Sequence, residues 1–216
     1  MTAVALIAKE CVPGRVKTRL APAIGHEHAA AVAAASLADT IDAVLRMPAD
    51  RRILLFDGST PPAGTESFEV MPQVTGGLDE RIAAMFDAVD EPTLLVGMDT
   101  PQLAPSHTAA VFAEARHAEQ HDAWFGPASD GGFWGLWLRE PDGDLVRGVP
   151  MSRDDTGALQ LGRLRGAGLR VGVLDELLDV DTIEDARAVG ALVPGSRFDA
   201  ALTAAVATAP QQKVTR

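Results

Sequence analysis

A chain of 216 residues, 47% of them hydrophobic, carries enough apolar material for one domain with a sizeable core. Its formal net charge of −11 argues against general nucleic-acid binding and against an anionic membrane surface, since both need broad basic faces. The single cysteine, Cys11, excludes an internal disulfide framework and a Cys-based zinc cluster, and a reducing cytosol is the simplest setting.

Short apolar runs alternate along the chain with longer helical patterns. Strands are predicted at Ala3 to Ala8, Arg52 to Asp57, Phe68 to Met71, Thr93 to Gly97, Ala123 to Phe125, Phe133 to Leu138 and Leu169 to Leu174. Between the first two strands, Ala30, Ala33, Leu37, Ile41 and Val44 recur at helical spacing. Leu78, Ile82, Met85, Phe86 and Val89 do so after the third, with Asp79 and Glu80 placed to complement the helix dipole. Thr182 to Asp185 and Ser196 to Asp199 read as helix starts of capping-box type. His107, His117 and His121 are expected on a helical surface, without metal-site spacing.

This alternation indicates an α/β domain with a mainly parallel sheet. One domain over residues 1–207 is expected, with a flexible tail at 208–216. "MTAVALIAKE" lacks a basic start and a signal-type cleavage site, and no apolar run approaches the roughly 20 residues of a membrane span. A cytoplasmic protein without a membrane partner is therefore expected.

Open parallel sheets bind ligands at the carboxyl ends of their strands, so the loops there carry the functional reading. The first, "AKECVPGRVKTRLAP", sets Lys9, Arg15, Lys17 and Arg19 against one carboxylate, Glu10. Gly14 permits close backbone approach, Arg19 offers a forked set of donors, Lys17 a compact charge and Thr18 a hydroxyl. Neither a P-loop nor G-x-G-x-x-G is present, so the loop reads as a polyphosphate site of another kind. The alternative is a set of solvated surface charges.

In "LLVGMDTPQL", Asp99 follows a buried strand and suits Mg²⁺, which takes one or two carboxylates plus phosphate oxygens; it equally suits a turn before Pro101. Asp179 and Asp181 in "LLDVDTIEDA" share a face if the segment is extended, or Asp181 serves the next helix start. "GPASDGGFWGLWL" offers Asp130 with Gly131 and Gly132 for an acceptor, or a hairpin turn; its aromatics read as core packing. In "TGGLDERIAAMF", Gly76, Gly77 and Leu78 open a helix suited to a phosphate or base edge, while Arg81 is as readily an ion-pair residue. Cys11 is a candidate reactive thiol among so many cations, without an evident His partner.

In this order "PGRVKTRLAP", "GGLDERI", "GMDTPQL", "GPASDGGFWGL" and "LLDVDTIEDA" resemble a widespread bacterial family of uncharacterised, glycosyltransferase-like proteins with the GT-A fold, often called transferase 1. The resemblance covers about residues 3 to 192. A more distant likeness runs to the 2-phospho-lactate guanylyltransferases, and a remoter one to the molybdenum-cofactor nucleotidyltransferases. The resemblance implies a three-layer GT-A sandwich with a mainly parallel mixed sheet, a nucleotide over the amino-terminal half, and Mg²⁺ or Mn²⁺. It implies Asp99 and Asp179 as metal ligands, with Asp181 in reserve, and Arg15, Lys17 and Arg19 on the donor phosphates. Asp130, Gly131 and Gly132 would face the acceptor. Two departures, Phe133-Trp134 where Tyr is commoner and Met151 where a Trp-Ser pair is usual, lie on that acceptor side.

The expected nucleotide contacts are Ala8, Lys9, Gly14, Arg15, Lys17, Thr18, Arg19, Gly77, Leu78 and Arg81, with Lys17, Arg19 and Asp99 as the catalytic set. Three cations in one loop favour a nucleoside triphosphate donor, hence nucleotidyl transfer to a small phosphorylated or carboxylated acceptor. Glycosyl transfer from a nucleotide-sugar is the alternative, with Asp130 as its candidate base. A non-catalytic nucleotide-binding protein is a third reading. The sequence leaves the base, the acceptor and the oligomeric state open.

Overall fold

The structure is a computed structural model and describes residues 1–117 and 120–208. Among these, seven strands form one sheet in the order β3-β2-β1-β4-β6-β5-β7. They are β1 (Ala3–Lys9), β2 (Arg51–Asp57), β3 (Glu69–Pro72), β4 (Thr93–Gly97), β5 (Ala123–Pro127), β6 (Phe133–Leu138) and β7 (Val171–Val173). Only β6 runs against its neighbours, antiparallel to both β4 and β5, so the sheet is mixed but mainly parallel, as expected.

Side-chain alternation along each strand divides the core. Val4, Leu6 and Ala8, with Leu54, Phe56, Leu94 and Val96, face helix α2 (His26–Arg46) and helix α4 (Ala109–His117). Ala3, Ala5, Ile53, Leu55 and Leu95 face helices α3 (Leu78–Asp87) and α5 (Thr156–Gly166). The result is three layers, with helices on both sides of the sheet. A further pair, α6 (Ile183–Leu192) and α7 (Arg197–Thr208), packs with the short α1 (Ala21–Ile24) onto the outer side of α2 through Ala29, Val32, Val189 and Phe198.

That double burial explains the composition of α2. By length and mean hydropathy, 1.3, it suffices to cross a membrane, so the expectation that no segment approaches such a span is corrected. Its apolar surface is instead spent on two neighbours: Leu37, Ile41 and Val44 meet the sheet and Ala29 and Val32 meet α7's layer.

The strand expectations hold with small shifts. β3 starts one residue late because Phe68 N–H donates to the Thr65 carbonyl in a turn (2.9 Å). β7 is shorter than predicted: Leu169 N–H closes α5 on Leu164, leaving three residues of ladder. The Thr182–Asp185 capping box is reciprocal, each side chain taking the other's backbone N–H. At the second start Ser196 caps Asp199, but the Asp199 carboxylate accepts from Gly195 instead of returning to Ser196.

His107 lies in a 3₁₀ turn and His121 in the connection to β5, not on a helical surface. Thr208 still belongs to α7, and the rest of the expected tail, 209–216, lies outside the described residues. Helix α5 has no counterpart in the sequence expectations, since Gly157, Gly162 and Gly166 hide the Leu161–Leu164 spacing.

Candidate functional site

β1, β4, β5 and β7 all end at the same edge of the sheet, because each is parallel to the others through the register of its neighbours. The loops after them close around a cleft of about 720 Å³. Short backbone contacts hold those loops together. Val180 N–H donates to the Asp99 carbonyl (3.2 Å), Ser129 N–H to Leu177 (3.0 Å), and Ser36 of α2 bonds the Met98 carbonyl (3.0 Å).

The basic loop is not a bare cationic patch. Lys17 has a left-handed backbone (φ 44°), and its side chain, only 7% exposed, runs inward. Its Nζ lies 2.9 Å from Asp99 Oδ1 and 3.4 Å from Asp181 Oδ1. Arg19 Nη1 is 2.7 Å from the other oxygen of Asp181. Burial works against the Lys17 charge, but Asp99 and then Asp181 outweigh it and hold the ammonium above the ordinary lysine value.

Carboxylate oxygens of Asp130, Asp179 and Asp181 also all lie within 4.8 Å of one another. Burial, and then the charges of Asp130 and Asp181, push the Asp179 carboxyl up to about 6. Three crowded carboxylates are the hard oxygen donors that a divalent cation such as Mg²⁺ or Mn²⁺ takes, and such an ion would relieve their repulsion. The donor set therefore fits the metal. Asp99 is not one of the three; its carboxylate faces Lys17. Asp130, expected on the acceptor, stands with Asp179 and Asp181, and also accepts from Gly132 N–H (2.7 Å) to form the tip of the β5–β6 hairpin.

Of the expected site residues, the structure brings Ala8, Lys9, Arg19, Leu78, Arg81, Asp99, Asp130, Gly132, Asp179 and Asp181 to the cleft wall. Lys17 lies beneath that wall, and Gly14, Thr18, Gly77 and Gly131 are not part of it. Arg15 lines a smaller neighbouring depression of about 280 Å³ with Glu10, Asp57 and Gly58. Lys9 and Arg81 border both. Arg81 is also an ion-pair residue: it bonds Asp57 Oδ2 (3.1 Å) and Gln73 Oε1 (3.0 Å).

Cys11 departs from expectation. Burial first, then Asp99, push its thiol up to about 11, against the weaker pull of Lys9 and Lys17. Of the neighbouring cations that suggested reactivity, Lys17 and Arg19 are paired with Asp99 and Asp181.

Sequence reasoning missed Gln73 and Ser152. Gln73 follows β3 and bridges the Ala8 carbonyl (2.9 Å), the Leu55 carbonyl (3.1 Å) and Arg81. Its place at a strand's carboxyl end was the available signal. Ser152, with φ 59°, lines the cleft beside Arg153 and Met151, the residue of "VPMS" that the resemblance had already placed towards the acceptor. Phe133 is partly buried and lines the cleft; Trp134 is a core residue that also reaches the cleft wall, and Trp137 is buried in the core.

Residues 30–153 match the family described as "Uncharacterized protein conserved in bacteria" (DUF2064). The chain belongs to this family. No curated protein matches it. Among solved structures, this family member resembles a protein from Desulfovibrio desulfuricans G20 provisionally identified as a nucleotide-diphospho-sugar transferase. The TM-score is 0.81 at 23% identity, over 95% of this chain and 96% of that one. It also resembles a nucleotidyl transferase from Methanothermobacter thermautotroptrophicus, with TM-score 0.57, 17% identity and coverage of 94% and 99%. A third is Rv0371c from Mycobacterium tuberculosis H37Rv in complex with manganese, with TM-score 0.52, 20% identity and coverage of 87% and 96%. At these identities the likeness is one of fold: the three-layer, GT-A-like arrangement of nucleotide-diphospho-sugar transferases, as expected from the sequence.

Proposed function

We propose that the protein is a divalent-cation-dependent nucleotidyltransferase that moves a nucleoside monophosphate from a nucleoside triphosphate to a small phosphorylated or carboxylated acceptor. The observation that carries this reading is the meeting of the Asp130, Asp179 and Asp181 carboxylates with the cationic rim of Lys9, Arg19 and Arg81 in one cleft of about 720 Å³. A metal and a phosphate chain need those two sets side by side. The names of the nucleotidyl transferase and of the manganese complex among the structural relatives support it. So does the sequence likeness to 2-phospho-lactate guanylyltransferases.

In this reading an acceptor oxygen forms a bond to the α-phosphorus. The bond from that phosphorus to the β-phosphate bridging oxygen breaks, and pyrophosphate leaves with the electron pair. Asp130, Asp179 and Asp181 would hold Mg²⁺ or Mn²⁺, with Asp99 nearby on Lys17, and the ion would supply positive charge to the phosphates. Arg19, Lys9 and Arg15 steer and bind the phosphate chain, and Lys17 supplies charge from below. Leu78, Ile82 and Ile7 offer the donor an apolar wall, with Arg81 at its edge. Asp130, Gly132, Ser152 and Arg153 border the acceptor side.

Glycosyl transfer from a nucleotide-sugar is the second reading, and one observation favours it. Lys17 and Arg19 are already balanced by Asp99 and Asp181, so fewer cations are free for a triphosphate than the loop's composition counts.

Pyrophosphate release separates the two. The purified protein is incubated with Mg²⁺, each of the four nucleoside triphosphates and a pool of phosphorylated metabolites. Acceptor-dependent release with one triphosphate, lost in Asp179→Asn and Asp181→Asn, is the expected result. Silence from every triphosphate, with nucleoside diphosphate released from a nucleotide-sugar panel, transfers the assignment to glycosyl transfer.

A further inference from the structure

Asp181 is shared between two neighbourhoods. Both its oxygens carry a cation, Lys17 on Oδ1 at 3.4 Å and Arg19 on Oδ2 at 2.7 Å, yet the same carboxylate belongs to the cluster with Asp130 and Asp179. Lys17 further occupies Asp99 at 2.9 Å. Of the carboxylates Asp99, Asp130, Asp179 and Asp181, two are thus paired with cations, on a cleft wall that also carries Lys9, Arg81, Arg153 and Asp154. A metal entering alone competes with cations already bonded to Asp181; the contact from buried Lys17 is little screened, whereas that from exposed Arg19 is weaker.

We propose that Lys17 and Arg19 are a built-in counter-ion pair that competes with the divalent cation for Asp99 and Asp181 and is drawn off those carboxylates by a phosphate-bearing ligand. This rests on the metal- and nucleotide-binding reading of the same cleft, and adds an order to it: the metal binds weakly by itself and tightly together with phosphate. Phosphate oxygens offer Lys17 and Arg19 a replacement partner, so the carboxylates can turn to the metal without leaving two cations unpaired. The coupling is reciprocal, each ligand tightening the other by the same factor.

The plain alternative is a structural clamp, in which Lys17 pins the loop after β4 to the segment after β7 and so preforms the metal site. The two ideas predict opposite signs. Under exchange, removing the cation tightens the metal; under a clamp, removal weakens it.

The test is Mn²⁺ binding to the whole protein, read from the electron paramagnetic resonance of the free ion, with and without millimolar inorganic phosphate. Lys17→Met is expected to bind Mn²⁺ alone about tenfold tighter than the parent, and Arg19→Gln, whose contact is exposed, about two- to threefold tighter. Phosphate is expected to tighten Mn²⁺ several-fold in the parent and to have little effect in Lys17→Met. Arg19 is 74% exposed, so Arg19→Gln keeps the fold and decides the matter if Lys17→Met does not fold. Unchanged or weaker Mn²⁺ binding in the folded variants overturns the proposal, as does an absence of Mn²⁺ binding in parent and variants alike. Pyrophosphate release is a separate readout. Its absence beside tightened Mn²⁺ binding removes the proposed reaction and leaves the exchange; its presence beside unchanged Mn²⁺ binding removes the exchange alone.

Discussion

Arg19 and Asp181 stand 162 positions apart in sequence and 2.7 Å apart in space. Together with Lys17 on Asp99, this contact ties the loop after the first strand to the segment after the last, across the three strands β4, β6 and β5 that lie between them. The loop is thus a cationic side of an acidic site as well as a surface for anions. Three consequences elsewhere in the molecule are open to direct measurement.

Cys11 is expected to be a slow thiol. With its thiol near 11, only roughly a thousandth is thiolate at about pH 8, against a quarter or so of free cysteine. Ellman's reagent should label the folded protein on the order of a hundred-fold more slowly than free cysteine, and at the free rate after denaturation. Rapid labelling of the folded protein would show that burial and Asp99 do not control this group.

Gly131→Ala is expected to be strongly destabilising. The residue has φ 87°, and an added Cβ would lie 1.9 Å from the Asp154 carbonyl oxygen. The backbone has little room to yield, because Gly157 N–H donates to the Gly131 carbonyl at 2.7 Å. Left-handed strain plus this overlap costs about 3 kcal/mol, a fall in melting temperature of roughly 6 to 10 °C for a chain of this size. Gly148→Ala is the control: φ is 77° there, but nothing lies within 4 Å, and about 1 kcal/mol is expected. Equal losses in the two variants would mean that strain alone matters and the Asp154 contact does not.

Asp122 supplies a pH-dependent tie at the sheet's edge. Its carboxylate takes Arg170 through the guanidinium (2.7 Å) and through the backbone N–H (2.9 Å), fixing the entry to β7 beside β5. These bonds lower its carboxyl from the ordinary 3.8 to about 2. A carboxyl lowered by folding stabilises the protein above its unfolded value, and that contribution fades as pH falls from about 4 through about 2. Because the pair is partly open to solvent, its worth at neutral pH is about 1 kcal/mol. Asp122→Asn should therefore lower stability to urea at neutral pH, with the gap to the parent closing by about pH 2. A gap that persists unchanged in acid would assign the loss to packing.

Much of the site's address was legible from single residues and their neighbours. Continuous apolar runs such as Val4–Leu6 and Leu94–Val96 mark strands covered on both faces, and the loops at their carboxyl ends held most of the residues now found on the cleft wall. The reciprocal cap at Thr182 was equally readable, because its partners are three residues apart. Helix α5 was not, since three glycines dilute its pattern and only one is required by close packing: a Cβ on Gly157 would meet the Gly132 carbonyl oxygen at 2.5 Å, whereas Gly162 and Gly166 have nothing within 4 Å.

Sequence by itself thus determined the strands, the sheet's class and the edge where ligands would gather, for these follow from local pattern and chain direction. Only the tertiary structure decided which charges are free. It sent Arg15 to the neighbouring depression, buried Lys17 against Asp99, turned Asp130 towards Asp179 and Asp181, and left Cys11 protonated. The reason is physical: a charge acts according to its distance from other charges and from water, and both are set by residues far away along the chain.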